Sequence, residues 1–220
     1  MDNMKKYKYV LFDLDGTILN TFEGVTRSFA YALEHYGIYV KDLNELTPVL
    51  GPPLYDAFVS MYGFSHDKAI EAVAKYRERY VNKYIEESKL YPGIKDTIRK
   101  LFEDGYILVI ATSKPECFVK NLLDHYDLTK YFSFVACASL DKSRDTKEKV
   151  LEYLIEELNI NSKETVMIGD RKFDLFGADS FGIDAIGVLY GFAPEGELEQ
   201  SPNVYLAKDA DELYNYIVNA

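Results

Sequence analysis

Asp13 and Asp15, one residue apart and followed by Gly16 and Thr17, close an apolar run over residues 7–12. Along an extended strand, side chains two apart share a face. Gly16 lets the chain bend there and lets a backbone N–H approach an anion closely. A second pair of acids, Asp170 and Asp174, follows another apolar run, Val166-Met167-Ile168-Gly169. Their spacing can put both carboxylates on one side of a strand-to-helix turn. Four carboxylates in one pocket repel one another and raise their own pKa values. A hard divalent cation removes that conflict, and Mg2+ prefers carboxylate, water and phosphate oxygens. Thr112 ends the apolar run 106–111 just before Pro115. A hydroxyl beside the N–H groups of a helix start makes a phosphate site. Together these residue types suit nucleophilic and acid–base work on a phosphate ester.

The elements that must position these groups can be read from periodicity. The run 7–12 is apolar, aromatic and β-branched, which predicts a buried strand. Phe22, Val25, Phe29, Leu33 and Tyr36 recur at helical spacing, and Gly37 supplies a stop. A short helix is expected near Asp42. A further helix over 54–62 follows Gly51-Pro52-Pro53, and a long one over 66–88 starts behind Ser65 as N-cap. No strand pattern is evident between residues 18 and 90. Beyond Tyr91-Pro92-Gly93 the pattern alternates. Strands are expected at 106–111, 134–138, 165–168, 183–188 and 203–206. Helices are expected at 94–102, from Pro115 to 125, from an Asp145 or Thr146 cap to 158, at 173–181 and at 210–218. Such alternation predicts an α/β fold with a doubly wound, mostly parallel Rossmann-like sheet. One crossover normally needs one helix. The helical stretch 18–90 is therefore expected to be an inserted all-helical cap, with 1–17 and 91–220 forming the catalytic core.

Phe12-Asp13-Leu14-Asp15-Gly16-Thr17 resembles the first motif of the haloacid dehalogenase-like hydrolases. Thr112, Lys147 within Thr146-Lys147-x-x-Val150-Leu151, and Gly169-Asp170-Arg171-x-x-Asp174 resemble the second, third and fourth motifs, in the family's order. The resemblance covers nearly the whole chain, and it is closest to phosphoglycolate phosphatase-like members with a helical cap. It implies that Asp13 is a nucleophile that takes up a phosphoryl group as an aspartyl-phosphate. Asp15 acts as general acid and then as base; true dehalogenases lack this second acid, so its presence points to phosphoryl chemistry. Thr112 is implied to hold a phosphoryl oxygen, with Ser113, Gly16 and Thr17 lining the substrate site, and Lys147 to neutralise the nucleophile and the phosphoryl. From sequence alone Lys142, Lys149 and Arg144 compete with Lys147. The implied cofactor is Mg2+, held by Asp13, the backbone carbonyl of Asp15 and Asp170, with Asp174 in support. Asn20-Thr21 stands where relatives often have Asp-Ser. Gly51-Pro52-Pro53-Leu54 resembles bacterial 5'-nucleotidases. The expected activity is thus a Mg2+-dependent phosphatase, with a 5'-nucleotidase or a phosphomutase as alternatives. A non-catalytic binding protein on the same fold is the alternative of a different class.

Composition narrows the partners. The chain has 220 residues, a net charge of −11, 48% apolar and 28% charged residues. Such an acidic surface argues against nucleic acid, and no apolar run suits a membrane span. The expected partner is a small phosphorylated metabolite, drawn in by local cations. Two cysteines, Cys117 and Cys137, lack zinc-type spacing, which fits a reduced, cytoplasmic setting. A monomer or homodimer is expected. Tyr is abundant at 19 residues. Tyr31, Tyr36, Tyr39, Tyr55 and Tyr62 offer either a base-stacking surface or helix-to-helix packing.

Overall fold

The computed structural model describes residues 5–139 and 143–220. The chain divides into two compact units, one formed by residues 1–19 and 90–220 and the other by 20–89.

The first unit is built on six strands: β1 (Tyr9–Phe12), β4 (Ile107–Pro115), β5 (Phe132–Ala138), β6 (Thr165–Gly169), β7 (Asp184–Val188) and β8 (Tyr205–Ala207). The order across the sheet is β5-β4-β1-β6-β7-β8, and the pairings are parallel. β1 is central, with Phe12 level with Ile110 on one side and Ile168 on the other. Its residues Val10, Leu11 and Phe12 are fully buried, as expected of a parallel strand covered on both faces. Helices α4 (Ile94–Glu103), α5 (Glu116–His125), α6 (Lys147–Leu158), α7 (Lys172–Asp179) and α8 (Ala210–Asn219) supply the covers. α6 packs on β4 and β5, and α7 on β6 and β7, while α4 packs on β4 and against α8. Leu11, Val109, Ala111 and Met167 from the sheet meet Val150, Leu151, Leu154 and Leu175 from α6 and α7. Truncating one of these buried leucines to Ala costs about 2–5 kcal/mol.

The second unit is helical: α1 (Phe22–Glu34), a 3-10 helix over Leu43–Val49, α2 (Leu54–Tyr62) and α3 (His66–Lys83). Asp42 caps the 3-10 helix by accepting from Asn44 N, and Ser65 caps α3 by accepting from Lys68 N. Aromatic rings fill its interior. Phe29 and Phe58 stack at 4.1 Å, and Tyr62 and Tyr36 each meet Phe64 edge-on. At least for Tyr36 and Tyr62, packing is therefore the local role. The chain connections β2 (Leu19–Asn20) and β3 (Lys89–Leu90) pair as a two-stranded ribbon, which sequence periodicity did not anticipate. The last helix also stops at Lys83 and not at residue 88. Among the described residues, no helix is long and apolar enough to cross a membrane.

Candidate active site

The central strands β1, β4 and β6 deliver their last residues to one place, the crevice beyond the carboxyl ends of a parallel sheet where ligands bind. Asp13 follows β1 directly, and its N–H donates to the Ile168 carbonyl at 2.9 Å. Lys147 is the first residue of α6, capped by Thr146, and is buried. Its Nζ donates to Asp13 Oδ1 at 2.8 Å and to the Ala111 carbonyl at 2.7 Å, and lies 2.7 Å from Asp174 Oδ1. An ammonium has three hydrogens to give, and three acceptors take them. Burial works against the charge on Lys147, but Asp13 and Asp174 outweigh it and raise its pKa above the ordinary lysine value. The rival cations go elsewhere. Lys149 pairs with Asp145 at 2.8 Å, and the Arg144 guanidinium lies 3.9 Å from the Tyr153 ring centre. Lys142 lies outside the described residues.

Asp13, Asp170 and Asp174 can each aim one carboxylate oxygen so that all three atoms lie within 4.8 Å of one another. Asp170 Oδ2 accepts from the Phe192 N–H at 2.7 Å, whereas Asp170 Oδ1 is buried without a hydrogen-bond partner among the described residues. Asp174 Oδ2 accepts from the Arg171 N–H at 3.1 Å. Burial, then Asp174 and Asp13, push the Asp170 carboxyl well above its usual range. Burial pushes Asp174 up to about 6, with Lys147 pulling the other way and Asp13 adding to the rise. Crowded, buried carboxylates with an orphaned oxygen fit a hard divalent cation, which would satisfy the oxygen and remove the repulsion. The Asp15 side chain lies outside this cluster of three carboxylates.

Close backbone approach builds the cradle around Asp170. Gly16 has φ +88, and a Cβ there would stand 2.0 Å from Asp170 Oδ2. A Cβ on Gly191 would stand 2.2 Å from the Asp170 Cβ. Thr17 is fully buried, and its carbonyl accepts from the Tyr190 hydroxyl at 3.1 Å. Its Oγ1 has no partner among the described residues.

Thr112 is buried at the site end of β4, and its Oγ1 accepts from the Lys114 N–H at 3.2 Å. Ser113 is exposed. Lys114 is buried instead, and its Nζ lies 2.8 and 3.1 Å from the two carboxylate oxygens of Asp15. Sequence reasoning passed over Lys114, although it stands within Thr112-Ser113-Lys114-Pro115. It also missed Tyr190, Gly191 and Phe192. The one signal for them was a glycine between two aromatics just past a predicted strand. Arg171 forms an ion pair with Glu197 at 2.7 Å, and Lys172 N donates to the same carboxylate at 3.1 Å. That pair ties the start of α7 to the loop after β7.

A sequence profile of the haloacid dehalogenase-like hydrolases matches residues 10–188. A 5'-nucleotidase from Pseudomonas aeruginosa is 38% identical over 207 residues, covering 94% of this chain and 94% of that protein. A phosphoglycolate phosphatase from Aliivibrio fischeri is 29% identical over 194 residues, covering 84% of this chain and 85% of its own. Among solved structures, a predicted phosphatase from Clostridium acetobutylicum is similar at a TM-score of 0.93 and 41% identity, covering 97% of this chain and 99% of that one.

Proposed function

Because the chain belongs to the haloacid dehalogenase-like hydrolases, we propose that it is a Mg2+-dependent phosphatase of small phosphorylated metabolites that works through phosphorylated Asp13. The observation that carries the reading is the buried Lys147 bridge between Asp13 and Asp174, with Asp170 beside them. An Asp13 carboxylate oxygen attacks phosphorus, the P–O bond to the leaving group breaks, and Asp15 gives the leaving oxygen its proton. Water then attacks the phosphorus, the bond to Asp13 breaks, and Asp15 takes the water's proton. Lys147 offsets charge on Asp13 and on the phosphoryl oxygens, and the Thr112 hydroxyl donates to one of those oxygens. Asp13, Asp170 and Asp174 would hold Mg2+, which supplies further charge neutralisation when bound.

Substrate choice rests with the residues that do not touch the phosphoryl group, because that group is common to every phosphate ester. The helical unit 20–89 is the candidate for this selection. A phosphorylated small acid or sugar is the first reading. A nucleoside 5'-monophosphate is the second, favoured by the 38% identity to a 5'-nucleotidase over 94% of both chains.

The test of the mechanism is to quench turnover of a 32P-labelled substrate in acid and map the label. Label on Asp13, and its loss together with turnover in Asp13→Asn, supports the reading. Label on a Ser, His or Cys would end it.

A further inference from the structure

Lys114 owes its place to an irregularity in β4. Thr112 pairs with Cys137 of β5, and Pro115 pairs with the next residue, Ala138, so Ser113 and Lys114 have no counterparts. Such bulges re-aim side chains and are common beside active sites. Here the bulge leaves Ser113 exposed and turns Lys114 inward, where its side chain is only 5% exposed. A buried ammonium needs a counter-charge, and Asp15 provides it through both oxygens, at 2.8 and 3.1 Å. The Asp15 side chain is itself 31% exposed. A half-open aspartate with no such partner is free to turn about its two side-chain bonds. One ammonium across both oxygens removes that freedom. The backbone N–H of the same residue fills an acceptor position of Thr112 Oγ1 at 3.2 Å, which leaves the threonine hydrogen free to donate away from Lys114.

From this geometry we infer that Lys114 is a positioning residue for Asp15, aiming the carboxyl group that protonates the leaving oxygen, and that it acts through Asp15 without holding the phosphoryl itself. The inference rests on the proposed acid–base role of Asp15. It bears on the first half of the reaction and on substrates whose leaving group needs a proton. An alkoxide must be protonated as it departs, whereas p-nitrophenolate leaves at neutral pH unaided. A mis-aimed acid therefore slows the first and spares the second.

The test uses the full chain with excess Mg2+, enzyme in excess over substrate, and the release rate of the leaving group in the first turnover. Lys114→Met is expected to slow release from 2-phosphoglycolate by about 10- to 100-fold, because small displacements of a catalytic group cost that much. Release of p-nitrophenolate from p-nitrophenyl phosphate should fall by less than about threefold on the same argument. Lys114→Arg, which keeps the charge, should recover part of the loss. In an Asp15→Asn background, Lys114→Met should cause no further slowing, since the two residues act as a unit. Thermal unfolding checks that each variant is folded, and Lys114→Gln carries the same comparison if the Met variant is not. Equal losses on both substrates, no loss on either, or a KM increase confined to the carboxylate-bearing substrate would overturn the positioning role. Full activity in Asp15→Asn would instead remove the acid–base role of Asp15, a separate failure that this parent variant reveals by itself.

Discussion

Lys147 opens helix α6 and places its ammonium 2.8 Å from Asp13 Oδ1, the carboxylate that follows the central strand. A cation at a helix N-terminus opposes the helix dipole, and burial adds to that cost. The three acceptors around Nζ offset both. Removing the ammonium leaves two buried carboxylates facing each other without their shared counter-ion.

Lys147→Met is therefore expected to lower kcat by about 100- to 1000-fold, the usual loss when one preorganised donor to the reacting charge is deleted. Lys147→Arg should not restore activity. A planar guanidinium cannot reproduce three contacts that radiate from one nitrogen. Steady-state kinetics on p-nitrophenyl phosphate with saturating Mg2+ provides the measurement. A variant within tenfold of wild type would remove Lys147 from the reaction.

The carboxylate cluster makes a prediction that does not depend on turnover. Asp170→Asn and Asp174→Asn should each weaken Mg2+ binding, measured by calorimetry on the resting protein, by at least about tenfold. Removing metal with a chelator should abolish phosphate release, and added Mg2+ should restore it. Unchanged binding in both variants would show that the cation is held elsewhere.

Gly16 couples the loop that follows Asp13 to Asp170 by close approach. A methyl group there meets Asp170 Oδ2 at 2.0 Å, on a backbone with φ +88. Gly16→Ala must therefore move Asp170 as well as strain the loop, and each such strain costs about 1–3 kcal/mol. Both a lower melting temperature and weaker Mg2+ binding are expected. A drop in stability with intact metal affinity would mean that Asp170 adjusts independently of the loop.

The parts of this fold that sequence displayed are those whose periodicity is local. Val10 to Phe12, Leu108 to Ala111 and Val166 to Ile168 are buried on both faces and read as uninterrupted apolar runs. Asp13, Asp170 and Asp174 were visible because each follows such a run. What was hidden depends on distant partners. Lys114 turns inward only because β4 slips against β5, and no neighbouring residue announces that slip. Asp170 receives its N–H from Phe192, and α3 ends at Lys83 with Glu87 folded back onto Arg79 at 2.6 Å. A two-residue ribbon such as β2 with β3 is too short to show any period at all.

That Arg79–Glu87 contact carries a pH dependence. The guanidinium lies 2.6 and 2.7 Å from the two Glu87 oxygens, and Arg27 adds a contact at 3.5 Å. The hydrogen bonds from Arg79 hold the Glu87 carboxyl below its ordinary value, against the opposing effect of burial. A carboxyl whose pKa is lower folded than unfolded stabilises the protein above the unfolded value, about 4.3 for Glu. That stability is lost as pH falls through the lower, folded value. Glu87→Gln is expected to cost about 2 kcal/mol at neutral pH, since it strands a half-buried guanidinium. The gap to wild type should close below about pH 4. Urea unfolding at neutral and acidic pH reads it out, and a gap that persists in acid would assign the effect to packing.

Substrate size is the remaining expectation. The residues proposed to meet the phosphoryl group, Asp13, Thr112 and Lys147, are buried at 8%, 2% and 4% exposure. A phosphate carried on a small body is expected to reach a carboxylate so little exposed more readily than one carried on a bulky body. The net charge of −11 adds long-range repulsion toward polyanions, strongest at low salt. Comparison of kcat/KM for 2-phosphoglycolate, a sugar phosphate, a nucleoside monophosphate, a folded phosphoprotein and end-phosphorylated DNA should rank every small ester above both macromolecules. Among the small esters, the ranking decides between an acid or sugar and a nucleotide. Raising salt should not rescue the phosphoprotein, because its exclusion is steric, but should improve whatever weak activity the DNA shows. A macromolecule turned over as well as the best metabolite would refute selection for small substrates.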